Sequence, residues 1–476
     1  MLFQSWEYLF LLILSMMSIS LVRNKTFNKI AILTISVFFY AYGSGWQTIL
    51  FLSVIFLAYI EGLIFSKSKN KFLFTVMLVF LFLPLFIYKY LPFLMTEFFK
   101  IDITNSFENF VLPIGISFYT FQAAGYVIDV YKNKEEAEKN LLTFACFISF
   151  FPQLVAGPIE RSGDLMNQIK NFHRPSKENL SLGFRYIVLG LSLKLLVAET
   201  MAAFVDPIYN DLQNRGGLAV VIATFLFGIQ IYCDFNGYTQ IAIGSAKLMG
   251  INLMNNFNHP YKAYSIADFW KRWHISLTTW FTDYLYIPLG GNRKGKFRTY
   301  VNTIITFLVS GFWHGADWTF VIWGLVNGTG MSIEKSFIRK PLKNKTLAVI
   351  YYIFVFFIIN MFWVLFRANN IQDAINAYRL VFTDTIPQLL SLNSVGNIMS
   401  FAIRENGWSK TLFLPLFLSF IIYVWYEYGN IWHKGLESCL NSKKISIRWS
   451  TYIVLILLTL YFGKTLEQSS FVYFRF

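Results

Sequence analysis

The chain is a succession of long apolar runs separated by short polar loops. Such runs lie near residues 8–22, 28–42, 46–65, 72–95, 110–131, 141–156, 181–205, 218–235, 299–325, 346–366, 411–426 and 449–463. A helix crossing a bilayer needs about 20 mainly apolar residues. The pattern therefore predicts an all-α, polytopic membrane protein with ten to twelve transmembrane helices. Several runs are shorter than that, and 141–156, which contains Phe151-Pro152 near its end, is expected to be re-entrant rather than spanning. The segment from Asp268 to Leu289 is not an ordinary span. It mixes Lys271, Arg272, His274 and Asp283 with Trp270, Trp273, Trp280, Tyr284 and Tyr286, as interfacial or cavity-lining helices do. Residues 371–381 read as another short amphipathic helix.

Basic residues fall between the runs and on alternate sides. Arg23, Lys25 and Lys29 follow the first run, Lys67, Lys69 and Lys71 the third, and Lys132, Lys134 and Lys139 the fifth. The loops between are nearly uncharged or mixed, so the basic loops are expected to be cytoplasmic and the amino terminus outward-facing.

Composition strengthens the membrane reading. Of 476 residues, 55% are hydrophobic and only 14% charged, against about 25% charged in soluble domains. The net charge of +15 is explained by loop Lys and Arg, and nucleic acid is not expected as a partner. The start from Met1 lacks a signal-peptide layout, with Glu7 ahead of the first run. Cys146, Cys233 and Cys439 are far apart and imply neither a disulfide framework nor a zinc site.

Common catalytic signatures are missing. Gly290 to Lys296 fits the phosphate-loop spacing, but Phe297 stands where magnesium binding needs Ser or Thr, and no strand precedes it. It reads as a basic loop. The sharpest signal is His314, in Ser310-Gly311-Phe312-Trp313-His314-Gly315-Ala316-Asp317-Trp318, because it interrupts an apolar run. Ionisable groups within membrane helices are costly and mark function by default; the alternative is a neutral, hydrogen-bonded histidine of the bundle. Gly311 and Gly315 leave room for a ligand or a neighbouring helix. His274, in Phe269-Trp270-Lys271-Arg272-Trp273-His274, is the second candidate, though an interfacial histidine between Trp and Arg is ordinary. His173, His259 and His433 receive no chemistry.

These residues resemble the membrane-bound O-acyltransferases, in the bacterial branch that acetylates alginate, peptidoglycan or other polysaccharides and D-alanylates teichoic acid. The resemblance is densest from Pro113 to Gly330. It includes Ile114-Gly115-Ile116-Ser117-Phe118, Phe151-Pro152-Gln153-Leu154-Val155-Ala156-Gly157-Pro158-Ile159, Asp234-Phe235-Asn236-Gly237-Tyr238, Asn256-Phe257-Asn258 with Pro260-Tyr261, Tyr286 to Asn292 and Gly311 to Gly315. It implies one polytopic domain over 1–476, with N-terminal helices in 1–109, a catalytic core in 110–370 and C-terminal helices and tail in 371–476, around a central tunnel. It implies that His314 is catalytic and that His274 matches the second signature position. No tightly bound cofactor is expected. Acetyl-coenzyme A on the cytoplasmic side is the implied donor, its phosphates suiting Lys271, Arg272, Arg293, Lys294 and Lys296, although solvated basic loops explain these equally well.

The expected activity moves acetyl groups across a bacterial inner (plasma) membrane to a cell-wall or extracellular polysaccharide. Peptidoglycan is favoured, since the abundance of Phe, Ile, Asn and Lys suggests an AT-rich genome; alginate or another exopolysaccharide is the alternative. A separate extracytoplasmic, esterase-like (SGNH-type) acetyltransferase is the expected partner, because the chain has no large extracellular domain. A different class, transport of a lipid-linked or acyl substrate, would use Asp129, Glu199 and Asp234 as ion-coupling residues, but the duplicated halves and paired broken helices typical of transporters are not found.

The tail Phe471-Val472-Tyr473-Phe474-Arg475-Phe476 reads either as an aromatic interface anchor or, by resemblance to the Phe-x-Tyr-Phe-x-Phe terminus of this branch, as a relay in which Tyr473 accepts the acyl group. A phenol, with pKa near 10, needs a base such as His314 to become a nucleophile. Tyr473→Phe is expected to keep membrane insertion and lose acetyl delivery to glycan. The measurement is an acetyl adduct on the C-terminal peptide by mass spectrometry, and normal acetylation by the variant would leave the tail as an anchor only.

Overall fold

The structure is a computed structural model and describes residues 3, 5–101, 112–155, 157–337, 344–429 and 435–463. Tyr473 lies outside them, as do Ala156 and His433. Among the described residues there are helices and no strands, so the chain is the all-α, multi-pass membrane protein expected from its runs. They fall into two compact units, Met1–Ile187 with Tyr238–Asn256 and Val188–Gly237 with Phe257–Phe476. Seven of the described helices are long and apolar enough to cross a membrane: Lys25–Phe65, Lys71–Glu97, Lys177–Tyr209, Gly217–Leu248, Lys345–Arg367, Lys410–Tyr428 and Ile445–Phe462. Trp6–Leu21 is apolar but shorter.

The first unit begins with α1 (Trp6–Leu21), α2 (Lys25–Ser44), α3 (Thr48–Phe65), α4 (Lys71–Leu85) and α5 (Leu91–Glu97). It continues through α6 (Ile116–Tyr131), α7 (Leu141–Ser149), α8 (Phe151–Leu154) and α9 (Ser162–Lys170). Asparagines start several of these helices: the side chains of Asn24, Asn70 and Asn140 accept from the first free N–H groups of α2, α4 and α7. At 1.5 Å per residue the nine residues of α7 reach only about 14 Å, too short for a hydrocarbon layer of about 30 Å. The chain turns at Phe150, just before Pro152. The Phe147 carbonyl left open at this break accepts from Gln122 Nε2 (2.9 Å) and Gln153 Nε2 (3.0 Å). Gly115, at φ +72°, opens α6, and a Cβ there would stand 2.8 Å from the Leu154 carbonyl. Two of the quoted motifs thus meet at a glycine.

Helices α10 (Lys177–Leu191) and α12 (Gly217–Leu248) contribute to both units; α11 (Glu199–Tyr209) belongs to the second. Between α10 and α11 the chain takes a π-helical turn, Ser192–Ala198. The second unit continues with α13 (Ile266–Arg272), α14 (Ile275–Phe281), α15 (Gly295–His314), α16 (Trp318–Phe337) and α17 (Lys345–Arg367). Then come α18 (Ile371–Thr383), the amphipathic helix expected near 371–381, and α19 (Thr385–Ser391), α20 (Val395–Met399), α21 (Phe413–Tyr428), α22 (Leu436–Leu440) and α23 (Ile445–Phe462).

The apolar run 299–325 is not one helix but the facing parts of two. Gly315 is extended (φ −154°, ψ 143°) and stops α15, and Asp317 accepts from Thr319 N at 2.8 Å to start α16. The two helices return on each other as a hairpin whose contact is made of glycine. A Cβ on Gly311 would lie 2.2 Å from the Phe320 carbonyl oxygen, one on Gly324 2.4 Å from that of Phe307, and one on Gly328 2.9 Å from Ile304 Cα. Small residues that let backbones touch are the usual means of joining helices in lipid, where apolar side chains gain nothing by leaving it. Gly311→Val or Gly324→Val is expected to destabilise this hairpin by about 2–3 kcal/mol, the cost of overpacking a tight contact. The check is the thermal unfolding midpoint of the detergent-solubilised protein.

Candidate active site

The second unit brings His274 and His314 together. His314 is the last residue of α15. His274 sits at the junction of α13 and α14 with φ +44°, a left-handed conformation that breaks the helix between them. Their rings lie 6.4 Å apart, centre to centre, and both residues are buried, 1% and 5% exposed. Aromatic rings fix them. His314 packs edge-on against Trp323 (5.2 Å) and Phe366 (5.4 Å), and His274 against Phe235 (4.7 Å) and Trp313 (6.0 Å). Behind them Trp323 stacks on Trp363 (6.0 Å), which meets Trp273 (5.0 Å).

Both histidines line one cavity of about 390 Å³. Thr303, Thr306, Ser310 and His314, three and four residues apart, put one face of α15 along it, and Thr278, Thr282, Tyr286, Trp270, Lys271 and Lys335 line it too. Thr306 donates its hydroxyl to the Asn302 carbonyl (2.7 Å) and Thr282 to that of Thr278 (2.8 Å). Burial raises the pKa of the Tyr286 phenol, with the Thr303 hydroxyl acting the other way, so this phenol stays protonated near neutral pH. The lining combines imidazoles at one place, hydroxyls along one wall, and two lysines near enough to feel each other's charge.

The residues proposed from sequence are distributed unevenly. Lys271 lines the cavity. Arg272 turns to Asp268, with Nε 3.0 Å from Oδ2, and to the Asn258 carbonyl. Arg293 and Lys294 belong to the glycine-rich turn before α15 and are not among the lining residues. Lys335, which sequence reading passed over, does line the cavity; its only signal was a cation near the end of a largely apolar helix. Glu199 and Asp234, weighed as ion-coupling residues, both pair at 2.7 Å with Lys194 of the π-helical turn, all three buried.

A profile of the membrane-bound O-acyltransferase family matches residues 132–369, which include both histidines and all the lining residues named here. The chain is 32% identical over 390 residues to a peptidoglycan O-acetyltransferase of Helicobacter pylori, covering 75% of this chain and 74% of that one. The chain belongs to the membrane-bound O-acyltransferase family. It is also 41% identical over 273 residues to an Azotobacter vinelandii protein named "Probable alginate O-acetylase AlgI", covering 57% of this chain and 54% of that one. A Streptococcus thermophilus teichoic acid D-alanyltransferase is 31% identical over 255 residues, 50% of this chain and 60% of that one. The chain thus spans about half the length of the alginate relatives it matches.

Within this member of the family, the buried ion triad sits beside the histidine site. Asp234 precedes Phe235, which packs on His274, and the next residue, Asn236, donates to the Tyr426 hydroxyl at 2.8 Å. Removing one member of a buried ion set leaves uncompensated charge and costs about 3–5 kcal/mol. Lys194→Met is therefore expected to lower stability by that order, with less loss in a triple variant that also replaces Glu199 and Asp234 by neutral residues. Thermal unfolding in detergent is the check.

Proposed function

We propose that the chain is an O-acetyltransferase that takes acetyl groups from cytoplasmic acetyl-coenzyme A and passes them across the membrane for O-acetylation of a cell-wall polysaccharide. The observation that carries this reading is the pair of buried imidazoles sharing one hydroxyl-lined cavity. In the step proposed, His314 accepts the proton of the attacking hydroxyl as its oxygen forms the bond to the acetyl carbon. The carbon–sulfur bond of the thioester breaks, and the departing thiolate takes a proton back. Imidazole suits this exchange because one ring nitrogen can accept a proton and return it. His274, 6.4 Å away, is assigned to orient the thioester or its developing charge.

Lys271 and Lys335 supply the positive charge that donor phosphates require. Lys335 lies roughly 18 Å along α16 from Trp323, the ring packed on His314, by helical rise, which leaves length for an extended arm between phosphate and thioester. Arg272, paired with Asp268, and Arg293 and Lys294 in the turn before α15 are assigned a lesser part. Peptidoglycan is the favoured acceptor: the Helicobacter pylori protein named for it aligns over the larger share of this chain, although the alginate O-acetylases have the higher identity. The residue usage of the chain points the same way. Delivery to the glycan is assigned to a separate extracytoplasmic transferase, with Tyr473 as the proposed carrier.

His314→Ala is expected to lower acetyl transfer by about 10²–10⁴-fold, the usual worth of a positioned acid–base group, while the protein still inserts. His274→Ala is expected to lose less, and to show it most at limiting donor. The measurement is coenzyme A release and acetyl transfer by purified protein, corrected for folded amount. Near-normal turnover in His314→Ala would overturn the assignment.

A further inference from the structure

Glu334, near the end of α16, takes no part in the cavity lining, yet its carboxylate gathers three donors from two other elements. Oε1 accepts from Ile266 N (2.8 Å) and from the Tyr351 hydroxyl of α17, and Oε2 accepts from Ala267 N (3.0 Å). The residue is buried, 7% exposed. Ile266 and Ala267 are the first two residues of α13, whose N–H groups have no partner within their own helix. The same side of α16 touches α13 elsewhere: a Cβ on Gly330 would lie 3.6 Å from Ile266 Cδ1.

We propose that Glu334 is a positioning residue that clamps the start of α13 to α16 and thereby sets the separation of the two histidines. The clamp rests on the proposed reading of His274 and His314 as the reacting pair. Its logic is geometric. His314 is held by the glycine hairpin, since α15 carries it and α16 packs against α15 along Gly311, Gly324 and Gly328. His274 follows α13 after Trp273 and has no such hairpin; beyond its ring contacts with Phe235 and Trp313, its position depends on how α13 is fixed to α16. Local bonds shape α13 itself, with Ser265 Oγ accepting from Asp268 N (2.9 Å) and Asp268 from Arg272. These are internal to residues 265–272 and cannot fix the helix against the hairpin. Trp270, packed on Phe307 (5.3 Å) and Trp323 (5.5 Å), supplies an apolar contact midway. Glu334 supplies directional bonds at the starting end, and a carboxylate accepting backbone N–H groups makes stronger bonds than a neutral acceptor.

The test uses full-length protein in detergent or nanodiscs with acetyl-coenzyme A, comparing Glu334→Ala and Glu334→Gln. Gln keeps the volume and one acceptor oxygen but opposes an NH₂ to the other N–H. The expected result is a 10–100-fold fall in kcat per folded molecule for Ala, an intermediate fall for Gln, and little change in the KM for donor. Amide hydrogen exchange is expected to rise at Ile266 and Ala267 and to stay unchanged in the 295–314 peptide. Wild-type kcat in both variants, or unchanged exchange at Ile266 and Ala267, would overturn the clamp. Should the Ala variant not accumulate, the Gln variant decides. The functional reading fails separately, if His314→Ala keeps its turnover, and the exchange measurement then still decides whether the clamp exists.

Discussion

Every polar group carried into an apolar layer must find its partner inside the protein, because lipid offers none. In this chain several buried charged groups each serve more than one partner. Lys194 serves two carboxylates. Glu427 accepts from the Tyr232 hydroxyl, His259 Nδ1 and the Tyr261 backbone. Glu334 accepts from two backbone amides and a phenol. Each hub meets a place where helical regularity is interrupted: Lys194 lies in a π-helical turn, Glu427 opposite the left-handed His259, and Glu334 opposite the start of the seven-residue α13. Glu427 and Glu334 satisfy backbone N–H groups left free at such places, and Lys194 satisfies two buried carboxylates.

The histidine site grows out of the same economy. A helix that simply crossed a membrane would bury its backbone and present only side chains. Here the run 299–325 is folded back at Gly315, so that His314 ends a helix beside a wall of hydroxyls rather than facing lipid. The break at His274 does the same from the other side. Aromatic rings pack edge-on against both imidazoles on the sides away from the cavity. Since close aromatic contact is short-ranged and steeply dependent on distance, the spacing of the pair depends on how the helices that carry them are fixed to each other, with Trp313, the neighbour of His314, packed against His274.

Family membership narrows the chemistry without fixing the acceptor. Relatives named for alginate, peptidoglycan and teichoic acid all resemble this chain at 31–41% identity, and the family match at 132–369 holds the cavity. Their names share acyl transfer, acetyl in two cases and D-alanyl in the third.

Much of this protein was legible in the chain. Length of apolar runs decided the fold class, because spanning a bilayer demands a helix of a minimum length whatever surrounds it. The rarity of histidine inside such a run singled out His314, because burying an ionisable group is costly enough to need a reason. The short amphipathic helix at 371–381 and the irregular segment 268–289 also followed from pattern alone. Tertiary structure decided what pattern could not. Hydropathy averages over a window, so it saw 299–325 as one span and missed the hairpin that a single extended glycine creates. It also placed Arg272, Arg293 and Lys294 on equal footing with Lys271, since charge in sequence does not reveal direction. Only packing turned Arg272 to Asp268, brought Lys335 to the cavity from a distant helix, and gave Glu334 its three donors, because those outcomes depend on contacts between residues far apart in the chain.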